Sequence, residues 1–312
     1  MHSPNKGFRH LEQIGPEGSG RTVSIHLATR YPLASEAEWV DRIRLGQVLL
    51  AGQPAEKDLV LRAGQQLIWN RPPWIEPEVP LATAILYQDE DLLAVAKPSG
   101  LPTLPGGGEF LEHTLLALVR RKFPEASPMH RLGRATSGLV LFAPTAETTK
   151  PLQAVFREPR TRKVYRALCS GHLESDAFEI QAPIGEIPYG PLGTLHAAHP
   201  GGRPSLSRVT VLERREHATL VAVEILTGRP HQIRIHMAFA GHPLVGDPLY
   251  GLGGIPGPGT TALPGDPGYL LHAHRLELEH PRSGESLSLW CQPPPGLRAT
   301  EKSKRNSECP QL

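Results

Sequence analysis

The sequence predicts an α+β protein: a large, mainly antiparallel sheet with flanking helices, preceded by a small N-terminal domain. Three observations carry this. Beyond residue 83, strand-like apolar runs outnumber helical patterns and several are consecutive, as in an antiparallel sheet. Residues 22–69 hold a separate compact pattern of helix and strand. Between them, "NRPPWIEPEVP" (70–80) places Pro72, Pro73, Pro77 and Pro80 in an extended spacer. The expected organisation is an irregular arm (1–21), a small domain (22–69), a Pro-rich linker (70–83), a large domain (84–297) and a polar tail (298–312). With 312 residues there is room for two cores, and 33 Pro and 31 Gly imply many turns. No segment has the apolar length of a membrane span, and "MHSPNKGFRHLEQIGPEG" lacks the apolar core of a signal peptide. Cys169, Cys291 and Cys309 are odd in number and widely spaced, so neither a disulfide framework nor a zinc ribbon is indicated. The expectation is a cytoplasmic monomer.

Each element has a local reason. "VSIHLATRYP" reads as a short helix, and Ser35 with Glu38 forms a capping box for "EAEWVDRIRLG", which Gly46 stops. The strands "QVLLAG" and "LVLRAGQQLIW" follow. In the large domain, "TAILYQ" and "LLAVAK" turn at "DED" (89–91), and "KPSGLPTLPGGG" is a loop. "EFLEHTLLALVRRKF" puts Leu111, Leu115, Leu118 and Val119 on one helical face. Strands are predicted at "LVLFA", "KVYRALCSG", "SRVTVLER", "ATLVAVEIL", "YLLHAHRLEL" and "ESLSLW", and a helix from near Pro230 to Gly241. Seven Gly and four Pro in 251–268 predict a mobile surface insertion.

The net charge of +2 does not by itself argue for nucleic acid. Its distribution does more: "FREPRTRKVYR" (156–166) sets Arg157, Arg160, Arg162, Lys163 and Arg166 against one acid, Glu158. Such a run is either a solvated basic face or a phosphate-binding surface.

Residues 22–69, with Gly46, Gly52 and Gly64 spacing their strands, resemble the small RNA-binding module named after ribosomal protein S-four. Three later stretches carry a second resemblance. "MHRLGRATSGLVLFA" (129–143), "GRPHQIRIHMAFAGHPLVGDPLYG" (228–251) and "LHAHRLELEHPRSGESLSLWCQPP" (271–294) resemble successive signatures of the RluA-type RNA pseudouridine synthases. "DEDLLAVAKPSGL" and "RKVYRALCSGHL" fit in the same order. The resemblance spans about 84–297. It implies the pseudouridine synthase fold and isomerisation of uridine to pseudouridine in ribosomal or transfer RNA, with no metal or organic cofactor.

The resemblance also assigns roles. Arg131 matches an arginine that helps displace the flipped nucleotide, and His130 precedes it in the loop. Tyr165 matches a tyrosine that packs on the target base, and Arg234 an arginine that pairs with the catalytic Asp. That Asp follows "HRL" in the family; here the position is Gly133, which has no side chain to act as nucleophile or base. Arg234 is therefore expected to lack its partner unless another acid enters, and Asp247 in "GDPLYG" is the surrogate candidate, against a plain turn-capping role. Two classes follow: an RNA pseudouridine synthase working without the usual Asp, or a catalytically inactive RNA-binding relative that keeps the base pocket. A metal site built on His231, His236, His272 and His274 fits poorly, because 231 and 236 fall on different helical faces. "TSG" (136–138) lacks the strand–elbow context of a serine nucleophile.

Overall fold

Ser35 accepts from the Glu38 N–H at 3.3 Å and Glu38 accepts from the Ser35 N–H at 2.7 Å, so the capping box starts its helix where the sequence requires. This helix lies in the first of two units that the computed structural model describes over residues 3–32, 34–106 and 108–300. The first unit comprises Met1–Pro77 with Gly106–Glu112, the second Glu78–Pro105 with His113–Leu312. Most of the expected polar tail, 301–312, lies outside the described residues.

The first unit runs β1 (Phe8–Gln13), α1 (Val23–Arg30), α2 (Glu36–Arg44), β2 (Val48–Leu50), β3 (Gln53–Pro54) and β4 (Gln66–Arg71). Its sheet has the order β1-β4-β2-β3, packed on the helices through Val23, Leu27, Trp39 and Ile43. The expected irregular arm is thus part strand: β1 pairs antiparallel with β4, Phe8 opposite Arg71 and His10 opposite Trp69. It escapes sequence reading because no position on it is fully buried, so no apolar alternation marks it. The proline spacer is also anchored at its start. Glu76 is 5% exposed and accepts from Asn5 and from the Leu111 and Glu112 N–H groups. On this unit Trp69 stacks on His10 (4.9 Å between centroids) and meets Trp39 edge-on, with Arg42 4.5 Å and 5.0 Å from the Trp39 and Trp69 rings. Arg71 lies 3.4 Å from the Trp74 ring centroid.

The second unit contains β5 (Ala84–Gln88), β6 (Leu93–Lys97), α3 (Leu115–Arg120), β7 (Ser127–Pro128), β8 (Ser137–Ala143), α4 (Ala146–Arg157) and β9 (Arg162–Ser170). Then come β10 (Ala177–Ile180), β11 (Ile184–Tyr189), β12 (Gly193–Ala198), β13 (Ser207–Arg214), β14 (Ala218–Ile225), α5 (Gln232–Phe239), β15 (Leu271–Glu279) and β16 (Ser286–Trp290). The sheet order is β10-β13-β14-β9-β15-β8-β6-β5, with β7 on β8 and β16 on β15. Its ladders are antiparallel apart from the parallel β8–β15 pair. β8 is apolar at successive positions because both faces are covered: Leu139 and Leu141 pack with α4 and β15, Val140 and Phe142 with α3.

Two departures matter for the site. α4 was not expected, since Pro151 and the Thr148–Thr149 pair are poor helix formers; Thr145 and Thr148 cap it and Leu152 is fully buried. The basic run therefore begins in the last turn of α4 and continues into β9. The Gly/Pro-rich segment 251–268 is not a free surface insertion either. Tyr189 donates to the Ala262 carbonyl at 2.7 Å, and the Pro264 and Gly265 carbonyls accept from Arg234 and Arg134.

Candidate active site

The loop between β7 and β8 is fixed from outside. Thr103 Oγ1 donates to the Leu132 carbonyl at 2.8 Å and accepts from its N–H at 3.1 Å. Ser99 donates to the Ala135 carbonyl, and the Gly100 N–H to that of Arg134. Lys97 is 2% exposed; its Nζ donates to the Leu101 carbonyl at 2.6 Å and to those of Pro98 and Arg134. Burial pushes the Lys97 amine down to about 7. The "KPSGLPT" stretch is thus the clamp that shapes the loop, a role sequence reading missed. Its signal was a lysine closing an otherwise apolar strand, followed by Ser99, Gly100 and Thr103.

Gly133 is exposed at the tip and is not in the left-handed backbone region. The space above it is taken: a Cβ added there would lie 2.6 Å from the Tyr269 hydroxyl oxygen. Tyr269 itself is 3% exposed, and its Oη is 3.2 Å from Thr136 Oγ1.

Arg234, on α5, does not lack a partner. Its Nε and Nη2 donate to Asp247 Oδ2 and Oδ1 at 2.7 and 2.8 Å, and Nη1 donates to the Pro264 carbonyl at 2.8 Å. The two side chains are 2% and 1% exposed. The guanidinium sits 4.0 Å from the Tyr269 ring centroid and 4.9 Å from that of Tyr250. Burial works against its charge, but the hydrogen bonds and charge of Asp247, with Tyr269, hold its pKa above the ordinary value. Asp247 Oδ1 also accepts from the Leu249 and Tyr250 N–H groups at 3.0 and 3.1 Å. It therefore both pairs with Arg234 and caps its turn, with every oxygen engaged, so the acid that faces the arginine is Asp247.

Tyr165, on β9, is half-buried and packs against the clusters containing Ala135 and Tyr269 on one side and Leu132 and Ala273 on the other. Burial pushes its phenol up to about 12. His130 accepts from the Leu141 N–H at 3.1 Å and stacks on Phe156 at 4.9 Å; burial, then Lys163, push it down to about 3. It shapes the loop and is held neutral. His130, Phe156, Lys163 and Tyr165 line a small cavity of about 20 Å³. Arg131 is exposed, and its charge reaches His231.

The basic run does not form one free cationic surface. Arg160 pairs with Glu158 and with Glu279, and Arg162 with Glu224 (2.8 Å) and Glu277 (3.1 Å). Lys163 donates to the Phe156 carbonyl and lies over its ring. Arg166 is half-buried, its Nε has no hydrogen-bond partner among the described residues, and burial lowers its pKa. Arg157 remains exposed. The neutralising acids come from β14 and β15, distant in sequence, which a count of neighbours within the run cannot see.

The alternative chemistries do not assemble. Ser137 Oγ lies 2.8 Å from His272 Nδ1, but His272 Nε2 faces the Cys291 carbonyl, where a triad needs a carboxylate. Asp89, Asp91 and His280 place ligand atoms within 4.8 Å of one another. Arg282 Nε donates to Asp91 at 2.8 Å and Tyr87 to Asp89 at 2.7 Å, so this cluster is met by protein groups.

Among known proteins, a family model described as RNA pseudouridylate synthase matches residues 91–239. A Synechocystis sp. protein described as an uncharacterized RNA pseudouridine synthase is 43% identical over 87% of this chain and 94% of its own. RNA pseudouridine synthase 5 of Oryza sativa subsp. japonica is 38% identical over 96% of this chain and 90% of its own. The structure of human RNA pseudouridylate synthase domain containing 1 superposes with a TM-score of 0.57 at 27% identity, covering 72% of this chain and 89% of that one.

Proposed function

Because the chain belongs to the RluA-type family of RNA pseudouridine synthases, we propose that it isomerises uridine in RNA even though Gly133 stands where the resemblance expects the catalytic Asp. The observation that carries this is the buried Arg234–Asp247 pair under Tyr269, directly beside the clamped Gly133 loop. A buried ion pair seldom adds net stability over apolar packing, and a cation held rigid on a helix under Tyr269 is what electrostatic catalysis uses. The inactive, RNA-binding reading is favoured by one observation, the missing side chain at 133. Against it stands the retained set of Arg131, Tyr165 and Arg234, which backbone binding alone does not require.

The flipped base is assigned to Tyr165, and Arg131 to the gap it leaves in the RNA. Of the basic run, Arg157 is the cation best placed for phosphate, since Arg160 and Arg162 are paired. For the first unit the RNA-facing group is His10, Arg42, Trp69, Arg71 and Trp74. Burial and then the charge of Arg42 lower the pKa of Arg71, and burial and then Arg71 lower that of His10, with exposed Glu38 the acid near Arg42 and buried Glu76 the one near Arg71. Converging cations on aromatic faces suit RNA phosphates and stacked bases. No metal or cofactor takes part in this reading. No helix among the described residues is long and apolar enough to cross a membrane; the expected setting is a cytoplasmic monomer. Pseudouridine mapping of cellular RNA with and without the gene tests the reading: a site lost on deletion supports it, and an unchanged map contradicts it.

A further inference from the structure

Gly133 leaves a gap in the loop, and one neighbouring side chain fills it. The Tyr269 hydroxyl lies 2.6 Å from where a Cβ on Gly133 would begin. Thr136, which closes the loop's turn with its N–H on the Gly133 carbonyl at 3.0 Å, holds that hydroxyl at 3.2 Å. The Arg234 guanidinium lies against the ring, 4.0 Å from its centroid. The nearby carboxylate, Asp247, is not free to react: Oδ2 takes Arg234 Nε, and Oδ1 takes Arg234 Nη2 and two backbone N–H groups.

Resting on the reading that this site isomerises uridine, we propose that Tyr269 is the catalytic nucleophile, its Oη acting from the place a side chain at position 133 would occupy. Oη attacks C1′ of the ribose and the C1′–N1 bond breaks, with the phenolic proton passing to N1 of the departing uracil. The uracil turns. Its C5 then attacks C1′, the C1′–Oη bond breaks, and the C5 proton goes to the phenolate oxygen, which exchanges it with water. Atoms and electrons balance without any co-reactant. Tyrosine is a competent nucleophile at an anomeric carbon, as sialidases demonstrate. The Arg234 guanidinium against the ring face supplies positive charge beside the phenolate as the second bond breaks, while its Nε, Nη1 and Nη2 donors stay on Asp247 and Pro264, and Thr136 donates to Oη in the reactive arrangement.

The test is single-turnover tritium release by the full-length protein, using in vitro transcribed large-subunit ribosomal RNA and transfer RNAs labelled with tritium at uridine C5. Tyr269→Phe removes only the hydroxyl, and is expected to lower the rate at least about 1000-fold while RNA affinity by filter binding stays within about twofold. Replacing Tyr269 with a fluorinated tyrosine, a more acidic phenol that keeps the packing, should shift the pH–rate profile toward acid, which a merely structural hydroxyl would not do. An active wild type whose Tyr269→Phe variant keeps its rate within about tenfold overturns the proposal and leaves the isomerase reading intact. An active wild type whose profile ignores the fluorinated tyrosine does the same, even if the Phe variant folds poorly. A wild type that binds these RNAs and releases no tritium overturns the isomerase reading itself.

Discussion

Asp247→Asn should destabilise the second unit severely, and the reason is specific. The carboxylate takes two hydrogen bonds from Arg234, at 2.7 and 2.8 Å, and two from backbone N–H groups, at 3.0 and 3.1 Å. Asparagine keeps the shape, but it turns one acceptor into a donor aimed at a guanidinium and removes the charge. Arg234, 2% exposed, is then a buried cation facing an amide and one carbonyl. Breaking a buried pair by removing one partner costs about 3–5 kcal/mol. Removing both charges together, in Arg234→Met with Asp247→Leu, removes the uncompensated cation but takes these partners from the Leu249 and Tyr250 N–H groups and the Pro264 carbonyl, so the double variant should recover only part of the stability lost in Asp247→Asn. Urea unfolding followed by tryptophan fluorescence and far-UV dichroism measures both midpoints. A loss below about 1 kcal/mol for Asp247→Asn, a level typical of exposed pairs, would refute the claim that this pair is a buried anchor of the site.

Three further outcomes are expected. Gly133→Asp should cost about 1–3 kcal/mol and fail to raise activity, because the new Cβ meets the Tyr269 hydroxyl at 2.6 Å while the backbone there is unstrained; adding Tyr269→Phe should recover most of the stability, and no recovery would contradict the crowding. His272, 2% exposed and lowered by burial to about 4, stays neutral in the fold while the unfolded chain takes up its proton below the usual 6.5. Stability should therefore fall as pH drops from about 6.5 toward 4, by up to about 1.4 kcal/mol per pH unit for this residue, and His272→Gln should flatten that limb of an unfolding series. In the first unit, Arg42→Ala with Arg71→Ala should weaken RNA binding and lower the slope of log affinity against log salt by about 1–2 in fluorescence anisotropy; an unchanged slope would remove this face from the RNA interface.

How much of this was legible depended on how local the cause was. The Ser35–Glu38 box is a four-residue signal and folds as written. β8 announces itself by an unbroken apolar run, and α5 by its pattern, although it starts at Gln232, two residues past Pro230, with His231 in the left-handed region. α4 was hidden because its residues disfavour helix and only the burial of Leu152 against the sheet overrides them. β1 was hidden because it is an edge strand made by its partner. At the site, motif resemblance singles out Gly133, Tyr165 and Arg234, and Asp247 is the surrogate candidate, weighed against a plain turn-capping role. Its bidentate grip on Arg234 depends on how α5 and the "GDPLYG" turn meet in space. Tyr269 carried no motif at all; it matters only because its hydroxyl lands on Gly133, a coincidence of β15's entry and the β7–β8 loop. Likewise the basic run read as cationic until Glu224, Glu277 and Glu279 arrived from other strands.

This chain is proposed to turn over uridine without a carboxylate at position 133. The direct measurement is tritium release from C5-labelled uridine in RNA by the purified wild-type protein, with pseudouridine identified in the digested product. Release matched one for one by pseudouridine, and lost in Tyr269→Phe, is expected. Absence of both, on RNA shown to be bound in the same tube, would contradict it and leave a protein that holds RNA with a base pocket it no longer uses.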